Sequence, residues 1–295
     1  MAITATELSE VAPRSARAVL NVDDDYVVTI GNSSTAGTAP NGSFSVLDTA
    51  TEHSLLYSGL PTTTSSYSPE SQSCVHSGYV WLWHSNVMYR VAPSTGAVTS
   101  ISMSGPVGVQ GLVGASGVVW VIGTTTTRGY RLSDGSILTP VAAMTTVSGG
   151  AVGYHVDDGL IYARTSSTVV GSFDPTDGAA VATWTATVNA ARLLSYNGKL
   201  WSKGSGSSPT VTGFDPLSGL VTTHTITGAG SGTSDGTIHT DGWLYWYGAT
   251  ADQLIGLNPA TGAFGFDALP TSRTGRFGIT SAAGKLWIPS GAPLT

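Results

Sequence analysis

Histidine and carboxylate side chains are the residues of this sequence that could bind a metal ion or exchange protons. Six histidines occur, and His76, His155 and His239 each stand a few residues before a turn. Only His155 has carboxylates beside it in the sequence, at Asp157 and Asp158. Because the three histidines stand at different offsets from their turns, they need not meet at one depth. Structural or surface roles are therefore favoured over a shared metal site.

Consecutive aspartates offer a second candidate metal site. Asp23, Asp24 and Asp25 follow one another, and a calcium ion needs about six to eight oxygen ligands, usually at EF-hand spacing, which is missing here. Aspartate is also a common turn former, and this is the favoured interpretation. The sequence contains no nucleophile elbow, zinc-protease helix, P-loop or dinucleotide fingerprint. It predicts no catalytic residue, no metal and no cofactor.

Arginine side chains are the candidates for binding an anion. Arg17, Arg192 and Arg276 each stand at a similar distance before a recurrent turn, with Asp235 and Gln110 at comparable positions. In a ring of sheets, such positions point to the mouth of a central channel, where a guanidinium group can hold a carboxylate or another protein's acidic group. A solvated channel lining is the favoured alternative.

Aromatic residues are the candidates for contact with a sugar or a partner. Trp81 and Trp83 alternate along one apolar run, and a second run spans Trp243 to Tyr247. One member of each run could be exposed and stack on a sugar face, although packing between sheets is the favoured role for most of them. Trp83, His84 and Trp246 are the predicted contact residues of this group.

Repeated hairpins are the elements that would position these side chains. A turn glycine precedes a strand rich in Trp, Tyr and Val in six places: Gly78, Gly117, Gly159, Gly198, Gly242 and Gly284, with Asp25 in an earlier seventh copy. The copies recur about every 40 residues, a period typical of propeller blades. A second tight turn follows most of them, as in Asp174–Gly178, where Asp bonds the backbone, Pro fixes φ and Gly takes the left-handed conformation. Two hairpins per repeat predict four short antiparallel strands.

The predicted fold is an all-β, single-domain, seven-bladed β-propeller closed by an N-terminal strand in the last blade. The last repeat ends too soon after Gly284 for an outer hairpin, and the first residues have no blade of their own. Pairing the two would remove an exposed sheet edge. The predicted boundaries are 1–14 (closing strand of blade 7), 15–72 (blade 1), 73–108 (blade 2), 109–148 (blade 3), 149–188 (blade 4), 189–232 (blade 5), 233–274 (blade 6) and 275–295 (blade 7).

The hairpin Gly198–Trp201 (GKLW) and turns such as Asn258–Gly262 (NPATG) resemble the repeat of quinoprotein-like and YVTN-type seven-bladed propellers. Streptogramin B lyases share a similar pattern. The resemblance covers Ala16 to Trp287 and is specific for fold. The lyase resemblance implies a catalytic site of His and Glu residues around magnesium on one face. This sequence departs from it, because its glutamates, Glu7, Glu10, Glu52 and Glu70, all fall in the first quarter.

Composition narrows the range of partners. Charged residues make up 10% of the chain, against about 25% in a typical soluble domain. With 12 Lys plus Arg and a net charge of −6, no basic stripe is available for nucleic acid. The N-terminus lacks a Sec signal pattern, and no run reaches the roughly 18 apolar residues of a membrane span, so no membrane insertion is expected. Cys74 is the single cysteine, which favours a buried structural thiol over a nucleophile.

The favoured function is a non-catalytic binding or assembly module. The Ala, Thr and Gly bias, the scarcity of Lys and the missing Sec pattern together fit an actinobacteriophage virion structural protein, such as a minor tail or capsid-surface protein. Its partners would be other virion proteins or host-surface glycans, and it would be multimeric within an assembly. The predicted location is the virion or the extracellular space, otherwise the cytoplasm. A metal-dependent lyase or lactonase and a free carbohydrate-binding lectin are the alternatives.

Overall fold

A computed structural model describes residues 16–31, 44–60, 72–106, 108–139, 141–147, 152–188, 192–204, 210–227, 236–248, 253–268 and 279–288. The regular elements of these residues are antiparallel β-strands, in which each sheet is drawn from one continuous part of the chain. No helix capable of crossing a membrane occurs in the same residues. The fold is an all-β propeller, as predicted.

Sheet 1 contains β1 (Ala16–Val22), β2 (Tyr26–Gly31), β3 (Phe44–Asp48) and β4 (His53–Tyr57), and sheet 2 contains β5 (Ser73–His76), β6 (Tyr79–His84), β7 (Val87–Ala92) and β8 (Ala97–Ser102). Sheet 3 contains β9 (Gly111–Ala115), β10 (Val118–Ile122) and β11 (Arg128–Arg131), and sheet 4 contains β12 (Val152–Tyr154), β13 (Ile161–Ser166), β14 (Val169–Phe173) and β15 (Ala180–Thr185). Sheet 5 contains β16 (Leu194–Tyr196), β17 (Lys199–Lys203), β18 (Thr210–Phe214) and β19 (Val221–Thr225). Sheet 6 contains β20 (Gly236–Ile238), β21 (Leu244–Gly248), β22 (Gln253–Leu257) and β23 (Phe264–Ala268), and sheet 7 contains β24 (Thr280–Ala282) and β25 (Lys285–Trp287).

The prediction of seven four-stranded blades needs correction. Within the described residues, six sheets have three or four strands and form blades, while sheet 7 has two. Sheet 3 replaces its fourth strand by isolated bridges, Thr127 to Val141 and Tyr130 to Ile137. Pro140, which cannot donate a ladder hydrogen bond, interrupts that part of the sequence. The predicted closing strand, residues 1–14, lies outside the described residues.

The first strands of the sheets form the inner ring. Each of β1, β5, β9, β12, β16 and β20 contacts the first strand of the next sheet, and β24 contacts both β20 and β1. Val27 and Leu47 of sheet 1 pack with Ala282 and Trp287 of sheet 7. The ring is therefore closed through sheet 7, although that sheet is small.

Turn chemistry explains the inner hairpins. Ser77 and Gly78 both have positive φ, as do Asn197 and Gly198, which is the type I′ geometry that suits two-residue hairpins. Sheets 4 and 6 connect their first two strands by longer turns that also end in a left-handed glycine, Gly159 or Gly242. The glycines recognised as the repeat signature are thus the residues that the turns require.

The outer turns, which connect the third and fourth strands of a sheet, pack against neighbouring sheets. At Asp174 and Asp215 the carboxylate accepts a hydrogen bond from the backbone N–H two residues later, and a left-handed glycine ends each turn. A Cβ added to Gly219 would come within 2.9 Å of Trp184 in the preceding sheet. Glycine here supplies the backbone conformation and leaves room for the neighbouring ring.

The turns between first and second strands and those between third and fourth strands lie at one end of the ring, which we call the turn face. Antiparallel pairing puts both kinds of turn at the same edge of each sheet. Neighbouring sheets share this orientation, because the Gly198 N–H donates to Asp157 Oδ2 (3.0 Å) and the Val156 N–H donates to Ser195 Oγ (3.0 Å). The connections between second and third strands run at the other end.

Candidate functional site

A central cavity of about 460 Å³ is lined by the first strands and adjoining residues of all seven sheets. Its walls are mostly aliphatic side chains and glycine, interrupted by a small number of polar groups: Asn21, Tyr154, Ser195, Thr237, Thr280 and Ser281. A volume of this size is within the range of small-molecule pockets. The polar groups can donate and accept hydrogen bonds.

Arg192 is the one charged residue among the described residues that line the cavity. Its chain position directly precedes β16, so sheet 5 brings the guanidinium group to the inner ring. Cys74 from sheet 2 lines the same cavity and is buried. Burial raises the pKa of the Cys74 thiol to about 12, while the positive charge of Arg192 acts in the opposite direction. The thiol is therefore protonated at neutral pH and is not a nucleophile.

The predicted arginine set is only partly placed by the structure. Arg192 lines the central cavity, and its role in binding stays a prediction. Arg17 belongs to β1, at a break in register between Ala16 and Ala18, but its side chain lies outside the described residues. Arg276 also lies outside them. The channel-mouth role of these two arginines stays a prediction.

The predicted aromatic contacts need correction. Trp83 is 4% exposed and packs with Trp81 and Met88, while Trp246 is 1% exposed and packs with Trp201. Both belong to second strands that lie between neighbouring sheets, so both faces of the strand are covered. Neither ring is available to stack on a sugar. His84 is half-buried beside Ser85, with its Nε2 atom 3.0 Å from Ser85 Oγ, and burial lowers the pKa of His84.

The three candidate histidines stand at the ends of first strands, but in separate sheets. His76 ends β5, and the Cβ position of Gly114 in the next sheet would lie 2.3 Å from its side chain. His239 follows β20, and its Nδ1 atom lies 2.8 Å from Ser281 Oγ. His155 follows β12. Among the described residues, no group of three or more His, Cys, Asp or Glu side chains could hold a metal ion.

His155 has the most enclosed environment of these histidines. It is 3% exposed, with Nδ1 3.0 Å from Asp158 Oδ1 and Nε2 3.7 Å from Asp157 Oδ2. Neither ring nitrogen has a partner with hydrogen-bond geometry. Asp158 instead accepts hydrogen bonds from the Leu160 N–H (3.0 Å) and from the Tyr162 hydroxyl (2.7 Å). The carboxylates of this turn thus organise the hairpin, with the imidazole packed behind them.

Lys203 is a buried cation that sequence reasoning missed. It ends β17, is 1% exposed, and donates from Nζ to the Gly204 carbonyl (3.4 Å). Burial lowers the pKa of Lys203 to about 8. The sequence feature that could have identified Lys203 is its position at the end of the strand KLWSK, which follows a turn glycine of the repeat.

Comparisons with known proteins identify the fold. No protein-family model matches the chain, and no curated protein matches it. A streptogramin B lyase structure is similar to it with a TM-score of 0.71 and 15% identity, over 94% of this chain and 91% of that one. Virginiamycin B lyase from Staphylococcus aureus has a TM-score of 0.61 and 18% identity, over 74% and 76%.

The WD40 propeller domain of Doa1 is similar at a TM-score of 0.68 and 14% identity, over 96% of this chain and 91% of that one. A lyase and a WD40 domain thus share this architecture, and at such identities the similarity concerns fold alone. The chain is an all-β propeller.

Proposed function

We propose that this propeller is a non-catalytic binding or assembly module. The composition of the central cavity carries the proposal: aliphatic walls, neutral polar groups and one guanidinium group, Arg192, gathered from the inner ring. A catalytic centre for acyl transfer, elimination or hydrolysis requires a positioned acid–base group or a metal. The described cavity residues suit recognition of a ligand or of an inserted side chain from a partner.

A lyase-type enzyme is the main alternative, because two of the similar structures are streptogramin B lyases. The site implied by that resemblance uses glutamate, and Glu52 is the one glutamate among the described residues. Its carboxylate pairs with Lys285 where sheet 7 meets sheet 1. This contact supports a structural role for Glu52.

Turnover of a streptogramin B antibiotic tests the two functions against each other. The purified full chain is incubated with virginiamycin B in the presence of Mg²⁺, beside an active streptogramin B lyase as the positive control. We expect no product from this chain. Product formation that EDTA abolishes would replace the binding proposal with an enzymatic one.

The more specific proposal is a virion structural protein, a minor tail or capsid-surface protein that docks other virion proteins or host glycans. Its support is the charge-poor composition, with 10% charged residues and 38 glycines. Mass spectrometry of purified virions from the source of the gene should detect the chain in a fixed ratio to the major capsid protein. Its recovery only from the cytoplasmic fraction would contradict this location.

A free lectin is the remaining alternative. Phe264 and Phe266 are exposed on β23 and their rings stack at 6.4 Å, so they replace the buried Trp83 and Trp246 as aromatic surface residues. A glycan array would test this function with wild-type protein and the double variant Phe264→Ala, Phe266→Ala. Binding lost in that variant would favour the lectin.

We also propose that residues 1–14 complete sheet 7 as its closing strand. The two strands of that sheet leave the outer side of β25 without a partner among the described residues. Deleting residues 1–14 should lower the thermal midpoint by several degrees, whereas deleting 289–295 should have less effect. An unchanged midpoint after the first deletion would contradict the closure.

A further inference from the structure

Negative charge is concentrated on the turn face. The chain has eighteen acidic residues, and twelve of them stand at the turns of this face: Asp23, Asp24, Asp25, Asp48, Glu52, Asp134, Asp157, Asp158, Asp174, Asp177, Asp215 and Asp241. Three basic residues adjoin the same turns: Arg131, Lys199 and Lys285. A chain with few charges has therefore placed most of its carboxylates at one end of the ring.

Turn formation does not account for this charge. Asn258 occupies the position of Asp174 and Asp215 in the outer turn of sheet 6, and its side-chain oxygen accepts hydrogen bonds from Ala260 N (3.0 Å) and Thr261 N (3.2 Å). A neutral amide is thus sufficient for the turn. Asp174 and Asp215 thus add charge that the outer turn does not require, and hydrogen bonds from Thr176 and Ser218 lower the pKa of Asp174 and Asp215, so both are ionised at neutral pH.

His155 lies behind two carboxylates of the turn face. The ring is almost completely buried, with Nδ1 3.0 Å from Asp158 Oδ1 and Nε2 3.7 Å from Asp157 Oδ2, and neither contact has hydrogen-bond geometry. Among the described residues, the basic side chains beside these turns already have partners: Arg131 lies 3.9 Å from Asp134, Lys199 donates to Thr222 and Lys285 pairs with Glu52. These three side chains are outnumbered by the twelve carboxylates of the turn face.

The distribution of the carboxylates decides what kind of cation fits. A calcium site converges about six to eight oxygens on one point at 2.3–2.6 Å. Here the carboxylates are spread over the turns of five sheets, and the described residues contain no group of three metal donors. An extended surface with several separate cations matches this spacing better than a single ion does. Lys and Arg side chains of a protein supply such cations, and Arg can bind a carboxylate with two hydrogen bonds.

We propose that the turn face is a docking surface for a Lys/Arg-rich surface of a partner protein. This inference rests on the proposed binding function and names the chemistry of the partner. Association would be steered by charge and weakened by salt, because exposed charges are screened over about 10 Å at moderate ionic strength.

Two triple variants with equal charge change test the proposal. The turn variant is Asp134→Asn, Asp174→Asn, Asp215→Asn, which keeps the side-chain oxygens that accept the turn hydrogen bonds. The control variant is Glu70→Gln, Asp252→Asn, Asp267→Asn, which removes three charges at positions that are not among the twelve turn residues. Circular dichroism and thermal unfolding would confirm that both variants fold.

Fluorescence anisotropy with a labelled decalysine peptide gives the readout, with decaglutamate as the reversed-charge probe. We expect the turn variant to bind decalysine about tenfold more weakly than wild type, as three exposed ion pairs would allow, and the control variant less than threefold more weakly. Added salt should weaken wild type more than the turn variant. Equal losses in both variants would overturn the docking surface while leaving the cavity-based proposal intact.

Calcium titration by calorimetry separates the two kinds of cation. Wild-type protein should release or absorb no heat of stoichiometric binding. A stoichiometric calcium site that disappears in the turn variant would replace the partner protein with a metal ion. Lyase turnover, in contrast, would overturn the proposed function without changing the result of the decalysine experiment.

Discussion

Two kinds of inner hairpin hold this ring together, and they use different aromatic residues at the same position. In sheets 2, 5 and 7 the third residue after the turn glycine is tryptophan, whose indole N–H donates to the carbonyl of the last residue in the first strand: Trp81 to His76, Trp201 to Tyr196 and Trp287 to Ala282, at 3.0–3.1 Å. In sheets 4 and 6 the same position is tyrosine. Tyr162 donates to Asp158 (2.7 Å) and Tyr245 donates to Asp241 (3.0 Å).

The length of the turn explains the difference. The two-residue turns of sheets 2, 5 and 7 contain no aspartate, and tryptophan there bonds the backbone itself. The longer turns of sheets 4 and 6 supply an aspartate that receives the tyrosine hydroxyl. The tyrosine hairpins therefore connect the core to two carboxylates of the turn face, while the tryptophan hairpins stabilise the core alone.

Among the variants that compare the two kinds of hairpin, Trp201→Ala should lower the free energy of unfolding most. The ring is 2% exposed, lies against Gly213, and belongs to a cluster that joins sheets 5 and 6. Loss of a buried tryptophan typically lowers the free energy of unfolding by about 3–5 kcal/mol. Urea denaturation followed by circular dichroism measures this change.

Trp201→Phe is the matched control for that variant. It keeps most of the ring volume but removes the indole donor of the part-buried Tyr196 carbonyl, a loss of about 0.5–1.5 kcal/mol for a typical hydrogen bond. A phenylalanine variant as unstable as the alanine variant would show that the hydrogen bond outweighs the packing, contrary to the comparison.

Tyr162→Phe should have an intermediate effect. It removes a hydrogen bond to a charged carboxylate, a loss of about 1.5–3 kcal/mol, while the phenyl ring keeps its contacts with Trp184 and Phe214. Tyr245→Phe is the parallel variant in sheet 6, where the oxygen–oxygen distance is longer, and its loss should be smaller. Denaturant midpoints of the two variants, measured side by side, check the order. A larger loss for Tyr245→Phe would break the proposed ranking.

The hairpins of this fold were largely predictable because their turns need specific residues. The glycines at Gly78, Gly198 and Gly284 occupy left-handed conformations that other residues adopt at a cost. The strand predicted after Gly242, in the run Trp243 to Tyr247, is present in the structure as β21 and begins one residue later, at Leu244. The repeat period did not predict that, within the described residues, sheet 3 has isolated bridges in place of a fourth strand.

The functional surfaces were less predictable, because they depend on which side chains share a face. Trp83 and Trp246 looked like candidate contacts, but an apolar strand between two sheets buries both of its sides. The aspartates were correctly interpreted one by one as turn formers. Their common location on the turn face emerges only when the antiparallel order of strands in every sheet is combined with the closure of the ring.

The smallest predicted effect is on the stability of a tyrosine hairpin at alkaline pH. Burial, with the Asp158 carboxylate as hydrogen-bond partner, raises the pKa of Tyr162 above its ordinary value of 10.0. The native chain then keeps a proton that the unfolded chain releases above pH 10, so this contribution is complete below pH 10 and is lost as pH rises further. Because one pH unit corresponds to about 1.4 kcal/mol per group, wild type should lose up to about that amount by pH 11 that Tyr162→Phe does not lose. Denaturation midpoints of the two proteins at pH 9 and pH 11 measure the difference, and parallel declines would mean that Tyr162 ionises as readily in the folded hairpin as in the unfolded chain.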